Sequence, residues 1–158
     1  MTIFFYKAQG PYGCFSNFSL HSIELQGYTW PTSEHYYQAQ KFYGTLHHDL
    51  QDQIRQAPTP EEAAAMGRHP DYAIRADWDQ VKRKVMYAAV WTKFLTHANI
   101  QQILLDTGTA MIVENSPLDT YWGCGIHGNG LNQLGKILMQ VREELLALDQ
   151  GSSLKLQG

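Results

Sequence analysis

The sequence predicts an α+β fold, mostly helical with a small β-sheet or hairpin, in a single domain over residues 1–148. Three observations lead there. Apolar residues recur at three- and four-residue steps through long stretches, as on the buried face of a helix. The β-favouring runs are few and short. The chain has 158 residues, 44% of them apolar, which is enough to close one sizeable core and too little for two.

The elements follow in order. Ile3 to Tyr6 is a short β-favouring run, and Ile23 and Leu25 alternate before Gln26-Gly27 and Tyr28-Thr29-Trp30. That pattern is a hairpin with Gly at the turn, ended by Pro31. Thr32 or Ser33 caps a helix expected to reach about Tyr43, with Glu34 in the first turn, where a negative charge suits the macrodipole. Gly44 stops it. Thr59-Pro60-Glu61-Glu62 starts a short helix ending at Gly67, because Thr59 can accept from the N–H of Glu62 and Pro60 fits the first helical position. His47-His48 lies in a polar connector. Asp77 and Asn99 each precede a further helix, and Trp78, Val81, Val85, Ala88, Thr92 and Leu95 mark the longest as the central core helix. Ala110 to Glu114 reads as a buried strand, and Leu131, Leu134, Leu138, Val141 and Leu145 as a last amphipathic helix. Residues 149–158, rich in Gly, Ser and Gln, read as a flexible tail.

Charge and cysteine content narrow the class of function. The net charge of -3 provides no basic field for gripping duplex phosphates. No window approaches the run of about 18 apolar residues that crosses a bilayer, and residues 1–10 lack a signal-peptide pattern. A cytoplasmic protein that does not engage membranes is expected. Cys14 and Cys124 lie far apart without Cys-x-x-Cys spacing, as free thiols would in a reducing compartment. No set of His and Cys has zinc-ligand spacing, and no cofactor is expected.

Two segments concentrate polar and aromatic residues. In Thr32 to Phe42, Glu34, Gln38 and Lys41 fall on one helical stripe, and a long Lys41 leaning toward the helix N-terminus can reach the ligand that Glu34 reaches. A solvated face with one acid and one base has the same spacing, but Tyr and Gln rather than further charges fill the positions around it. In Ser116 to Asn132, Gly123, Gly125, Gly128 and Gly130 allow positive φ and close approach to a ligand, and Trp122 offers a flat surface for a base. A glycine-rich turn around a core Trp fits that spacing equally well. Phe15-Ser16-Asn17-Phe18 frames polar groups with aromatics. Arg68 and Arg75 are suited either to clamp phosphates or to sit at helix ends and in surface pairs.

Taken in order, Phe15-Ser16-Asn17-Phe18, Trp30 to Phe42, Met66-Gly67-Arg68, Trp78 with Lys82 and Met86, Asp119-Thr120-Tyr121-Trp122-Gly123, Gly130, Asn132, Leu134-Gly135, Leu138-Met139 and Arg142 resemble the NADAR family of N-glycosidases. The resemblance covers almost the whole chain. It implies a compact, mainly helical fold and cleavage of a ribosyl C–N bond, in ADP-ribosylated guanine or in phosphoribosylated pyrimidine intermediates of riboflavin synthesis. Cys124 departs from it, since relatives often carry Asp there.

Under that resemblance Glu34, Lys41 and Asp119 are the candidate catalytic residues. Glu34 would stabilise oxocarbenium charge and orient water, and Asp119 or its loop would protonate the leaving base. Alternatively Lys41 would attack the anomeric carbon and pass through a Schiff base. Phe15, Ser16, Asn17, Gln38, Arg68, Trp78, Tyr121, Trp122, Gly123 and Asn132 are the candidate substrate-binding residues. The partner would be a small nucleotide-like molecule with an ADP-ribosyl or phosphoribosyl moiety, or an ADP-ribosylated nucleic acid read as an extruded nucleotide. The competing expectation is a module that binds ADP-ribose or a related nucleotide without cleaving it.

Overall fold

The computed structural model describes the backbone of residues 1–157 and side chains through residue 151. The elements run β1 (Thr2–Phe5), β2 (Ile23–Leu25), β3 (Tyr28–Trp30), α1 (Ser33–Gln40), α2 (Leu50–Arg55), α3 (Pro60–Gly67), α4 (Trp78–Thr96), α5 (Ala98–Asp106), β4 (Met111–Glu114) and α6 (Gln133–Gln157). The fold is mostly helical α+β, as the sequence predicts. Its contacts gather into two compact units, one made of residues 1–16 with His97 onward, the other of Asn17–Thr96.

In the first unit β1 and β4 pair in parallel, Ile3 opposite Ile112 and Phe5 opposite Glu114. Ile3, Phe5 and Ile112 are buried while Phe4 and Met111 face out, the alternation a one-sided sheet requires. α6 packs on β4 and α5 on α6, with Leu134, Ile137, Leu138, Val141 and Leu145 buried along α6. The guanidinium of Arg142, also buried, donates to Thr107 Oγ1 at 2.9 Å and Ala110 O at 2.8 Å, tying α6 to the turn between α5 and β4.

In the second unit β2 and β3 form the expected hairpin. Both turn residues have positive φ, Gln26 at 58° and Gly27 at 79°, the pairing that matches the twist of two-residue hairpins. The strained Gln26 is anchored by a reciprocal amide pair with Gln40 of α1, at 3.2 and 3.1 Å. α1 packs against α2, α3 and α4, and Ile23, Trp30, Tyr36, Ala39, Phe42, Ile54, Ala63 and Ala89 form the core around it.

Several expected boundaries shift. α1 ends at Gln40 rather than near Tyr43, because the chain then tightens into three-residue bonds, Lys41 N–H to Gln38 O and Phe42 N–H to Ala39 O. α2 occupies part of the supposed polar connector, anchored by Leu50 and Ile54. α5 starts after His97, not after Asn99. α6 starts at Gln133 because Asn132, at φ 49°, breaks the helix before it. The strands make two separate pairs, β1 with β4 and β2 with β3. α6 runs on through residues 149–157, where the sequence reading placed a tail; residue 158 and the side chains of 152–157 lie outside the described residues.

Candidate active site

All eight residues of α1 are buried, although five of them are polar or ionisable beyond tyrosine: Ser33, Glu34, His35, Gln38 and Gln40. Such a helix is tolerated only if its polar groups are matched. Thr32 caps it, its Oγ1 accepting from the N–H of His35 at 3.2 Å. His35 Nε2 lies 3.0 Å from Ala57 O, which can only accept, so Nε2 carries the proton. Nδ1 is then an acceptor and takes the Thr32 hydroxyl hydrogen at 2.7 Å. This closed circuit holds a neutral imidazole, and burial pushes the His35 pKa down. On the other side Asn17 braces the first turn. Its carbonyl accepts from the N–H of Glu34, and its Oδ1 accepts from Ser33 Oγ at 3.0 Å while Nδ2 points at Met86 Sδ. Asn17, expected to hold substrate, thus holds the helix that carries Glu34.

Glu34 is 5% exposed. Gln38 Nε2 donates to its Oε1 at 2.7 Å, so the predicted stripe is a physical contact. Lys41, at the C-cap, places its Nζ 5.6 Å from the centre of the Tyr37 ring. Trp78 is buried and packs on that same ring at 5.1 Å. Burial lowers the Lys41 pKa to about 8; Glu34 opposes the shift, while Arg68 and Lys82 reinforce it by like-charge repulsion. The second unit therefore brings together Glu34, Gln38 and Lys41 with the fields of Arg68 and Lys82. Arg68 is exposed at the C-cap of α3. Arg75 makes a two-pronged pair with Asp77 at 2.6 and 2.9 Å, so the ion-pair alternative describes it.

The first unit holds the remaining candidates. Asp119 Oδ1 accepts from the N–H groups of Tyr121 and Trp122 at 2.9 and 2.7 Å, forming a side-chain-closed turn. The two aromatics that follow are half-buried and meet edge to face at 4.7 Å. The glycines divide by role. Gly125 and Gly128 have φ of 70° and 72°, as expected of a turn. Gly123, Gly130 and Gly135 instead permit close packing of the chain on itself: a Cβ on Gly130 would sit 2.5 Å from Gly123 O, and one on Gly135 2.2 Å from Ile112 O. The Asn132 amide is taken up by β4, accepting from Glu114 N–H at 2.9 Å and donating to Ile112 O at 2.9 Å. It extends the strand's pairing. Phe15, expected to wall a base, is 1% exposed and wedged between Phe5 and Tyr12, so it is a core residue. Ser16 is buried as well.

The NADAR domain matches residues 4–146. The chain belongs to the NADAR family. It is 57% identical over 145 residues to an N-glycosidase of Nostoc punctiforme, a match covering 92% of this chain and 93% of that protein. It is 46% identical over 141 residues to the N-glycosidase YbiA of Escherichia coli, covering 89% and 86% of the two chains. The NMR structure of E. coli YbiA superposes with a TM-score of 0.86 at 44% identity, over 94% of this chain and 87% of that one. The Zea mays chloroplastic riboflavin biosynthesis protein PYRR is 45% identical over 157 residues, covering 91% of this chain and 25% of that protein.

Within this NADAR fold, sequence reasoning missed the supports of the acid: the Thr32–His35–Ala57 circuit and the Asn17 brace. A polar residue on every side of a short helix is the signal that could have found them. Among the described residues no three His, Cys, Asp or Glu side chains gather as a metal site, and no helix is long and apolar enough to cross a membrane.

Proposed function

We propose that this chain is an N-glycosidase, a hydrolase that breaks the C–N bond between a ribose anomeric carbon and a heterocyclic base in a small nucleotide-like substrate. The observation that carries the reading is a buried carboxylate held by an amide at 2.7 Å beside a lysine whose pKa falls to about 8. A buried acid next to a partly neutral amine suits an electron-poor anomeric carbon. The N-glycosidase relatives support it, and the riboflavin role in the name of the maize protein supports a phosphoribosylaminopyrimidine as substrate. ADP-ribosylated guanine, free or in nucleic acid, offers the same ribosyl C–N bond and is the second substrate class. Two cysteines free of disulfide bonding accord with a cytoplasmic setting.

The C–N bond breaks with oxocarbenium character at the anomeric carbon, and the Glu34 carboxylate stabilises that charge. Along one route Glu34 takes a proton from water as its oxygen bonds to the carbon, and the base leaves with a proton drawn from solvent. Along the other, the neutral Lys41 amine bonds to the anomeric carbon and gives one of its two protons to the departing base. The ring C–O bond then opens with transfer of an amine proton to the ring oxygen, giving an imine that water hydrolyses back to lysine and free sugar. Arg68 supplies positive charge for phosphate oxygens.

Borohydride trapping under turnover separates the routes. The lysine route yields a stable sugar adduct on Lys41, absent in Lys41→Arg; turnover without any adduct assigns the water route. Absence of turnover on both substrates, with ADP-ribose still raising the melting temperature, overturns the enzyme reading in favour of a binding module.

A further inference from the structure

Gln38 is 1% exposed, and its two amide atoms meet different environments. Nε2 donates to Glu34 Oε1, whereas Oε1 is buried without a hydrogen-bond donor. The reverse orientation would set a carbonyl oxygen 2.7 Å from a carboxylate oxygen, so the contact with Glu34 fixes which way the amide points. A buried acceptor without a donor is ordinarily unfavourable, and a side chain kept in that state calls for a reason.

The reason lies across the α1–α3 contact. A Cβ built on Gly67 would fall 2.0 Å from Gln38 Oε1 and 2.8 Å from both Gln38 Cβ and Cδ. Gly67 is the last residue of α3 and its φ is not in the left-handed region, so the backbone does not require glycine there. Space does. The bare Cα lies against the amide, and one of its hydrogens points at the orphaned oxygen in a weak C–H···O contact. The amide has no room to retreat on that side.

We propose that Gln38 and Gly67 form a positioning pair: the glycine of α3 backs the Gln38 amide so that its N–H is held on the Glu34 carboxylate in one geometry. This assigns Gln38 a different role from direct substrate binding, and it rests on the reading of Glu34 as the acid of the site. A rigidly held carboxylate needs no reorganisation as charge develops, and small displacements of such a group are costly to rate.

The test is a double-mutant cycle on the full chain: wild type, Gly67→Ala, Gln38→Gly and the double variant. Kinetics on a cleaved substrate are combined with melting temperatures and the ¹³C shift of the Glu34 carboxyl carbon, assigned by its loss in Glu34→Gln. Alanine is ordinarily the better helix residue. Gly67→Ala is nevertheless expected to lower kcat about tenfold or more with KM changed less than about threefold, to lower the melting temperature and to move the Glu34 signal. In the Gln38→Gly background the same substitution meets none of the three atoms, so it should leave kcat and the Glu34 signal alone and no longer reduce the melting temperature. Equal effects of Gly67→Ala in both backgrounds overturn the proposal, as does an unmoved Glu34 signal in Gly67→Ala. A rise in KM with kcat intact returns Gln38 to substrate binding. Should Glu34→Gln keep full activity, the reading of the site falls, and the carbon signal still decides whether the pair positions Glu34.

Discussion

Replacing Arg68 with Gln should make Lys41 harder to deprotonate, and the size of the effect can be worked from the site. With a pKa of about 8, about one Lys41 amine in ten is neutral at pH 7, against about one in 3,000 for an unperturbed lysine. The folded environment therefore multiplies the nucleophilic form about 300-fold. Desolvation is the largest cause. Of the charges, Glu34 raises the pKa and outweighs either Arg68 or Lys82, which lower it. Arg68→Gln and Lys82→Gln should thus both move the Lys41 pKa up, Arg68→Gln by more, and Glu34→Gln should move it down. The assay needs no substrate: acetylation of Lys41 by acetic anhydride is followed by mass spectrometry from pH 6 to about pH 11, and the rate follows the neutral fraction. A midpoint near 8 in the wild type, rising in Arg68→Gln and falling in Glu34→Gln, is expected. A wild-type midpoint at or above about 10, or a fall in Arg68→Gln, refutes the electrostatic account of the site.

Three further outcomes follow from the same structure. Thr32→Val removes the cap acceptor for His35 N–H and the donor to His35 Nδ1 together, and should cost about 1–3 kcal/mol in urea unfolding, with Thr32→Ser restoring most of it. Because burial depresses the His35 pKa in the folded state, the unfolded chain binds that proton first; the contribution is complete above about pH 6.5 and is lost as pH falls below it, which unfolding curves between pH 7.5 and 5 would show. Gly135→Ala places a Cβ 2.2 Å from Ile112 O and should destabilise by about 1–3 kcal/mol, measured by thermal melting, despite alanine's better helix propensity.

Local signals carried much of this architecture. Thr59-Pro60 marks the start of α3, Thr32 caps α1 and Gly27 turns the hairpin, because each depends on hydrogen bonds within three or four residues. The stripe of Glu34 and Gln38 was legible for the same reason, helical geometry alone bringing them together. What was not legible depends on partners distant in sequence. The parallel pairing of Thr2–Phe5 with Met111–Glu114 has no local signature. α2 is short, and its two buried anchors, Leu50 and Ile54, sit among polar residues. Asn17 and Asn132 look like binding residues in sequence, yet the Asn17 side chain meets Ser33 Oγ and Met86 Sδ, and the Asn132 amide serves backbone groups of β4. Nothing near Gly67 in the chain announces Gln38 as the side chain it faces, and Phe15 reads as a pocket wall until its neighbours Phe5 and Tyr12 enclose it.

The most direct test of the account is release of base from two substrates offered separately, ADP-ribosylated guanosine and a phosphoribosylaminopyrimidine, by wild type and Glu34→Gln of matched melting temperature. The account predicts chromatographically detected base from at least one substrate with the wild type, falling by about 100-fold or more in Glu34→Gln. Release that persists unchanged in Glu34→Gln, or no release from either substrate by the wild type, contradicts it.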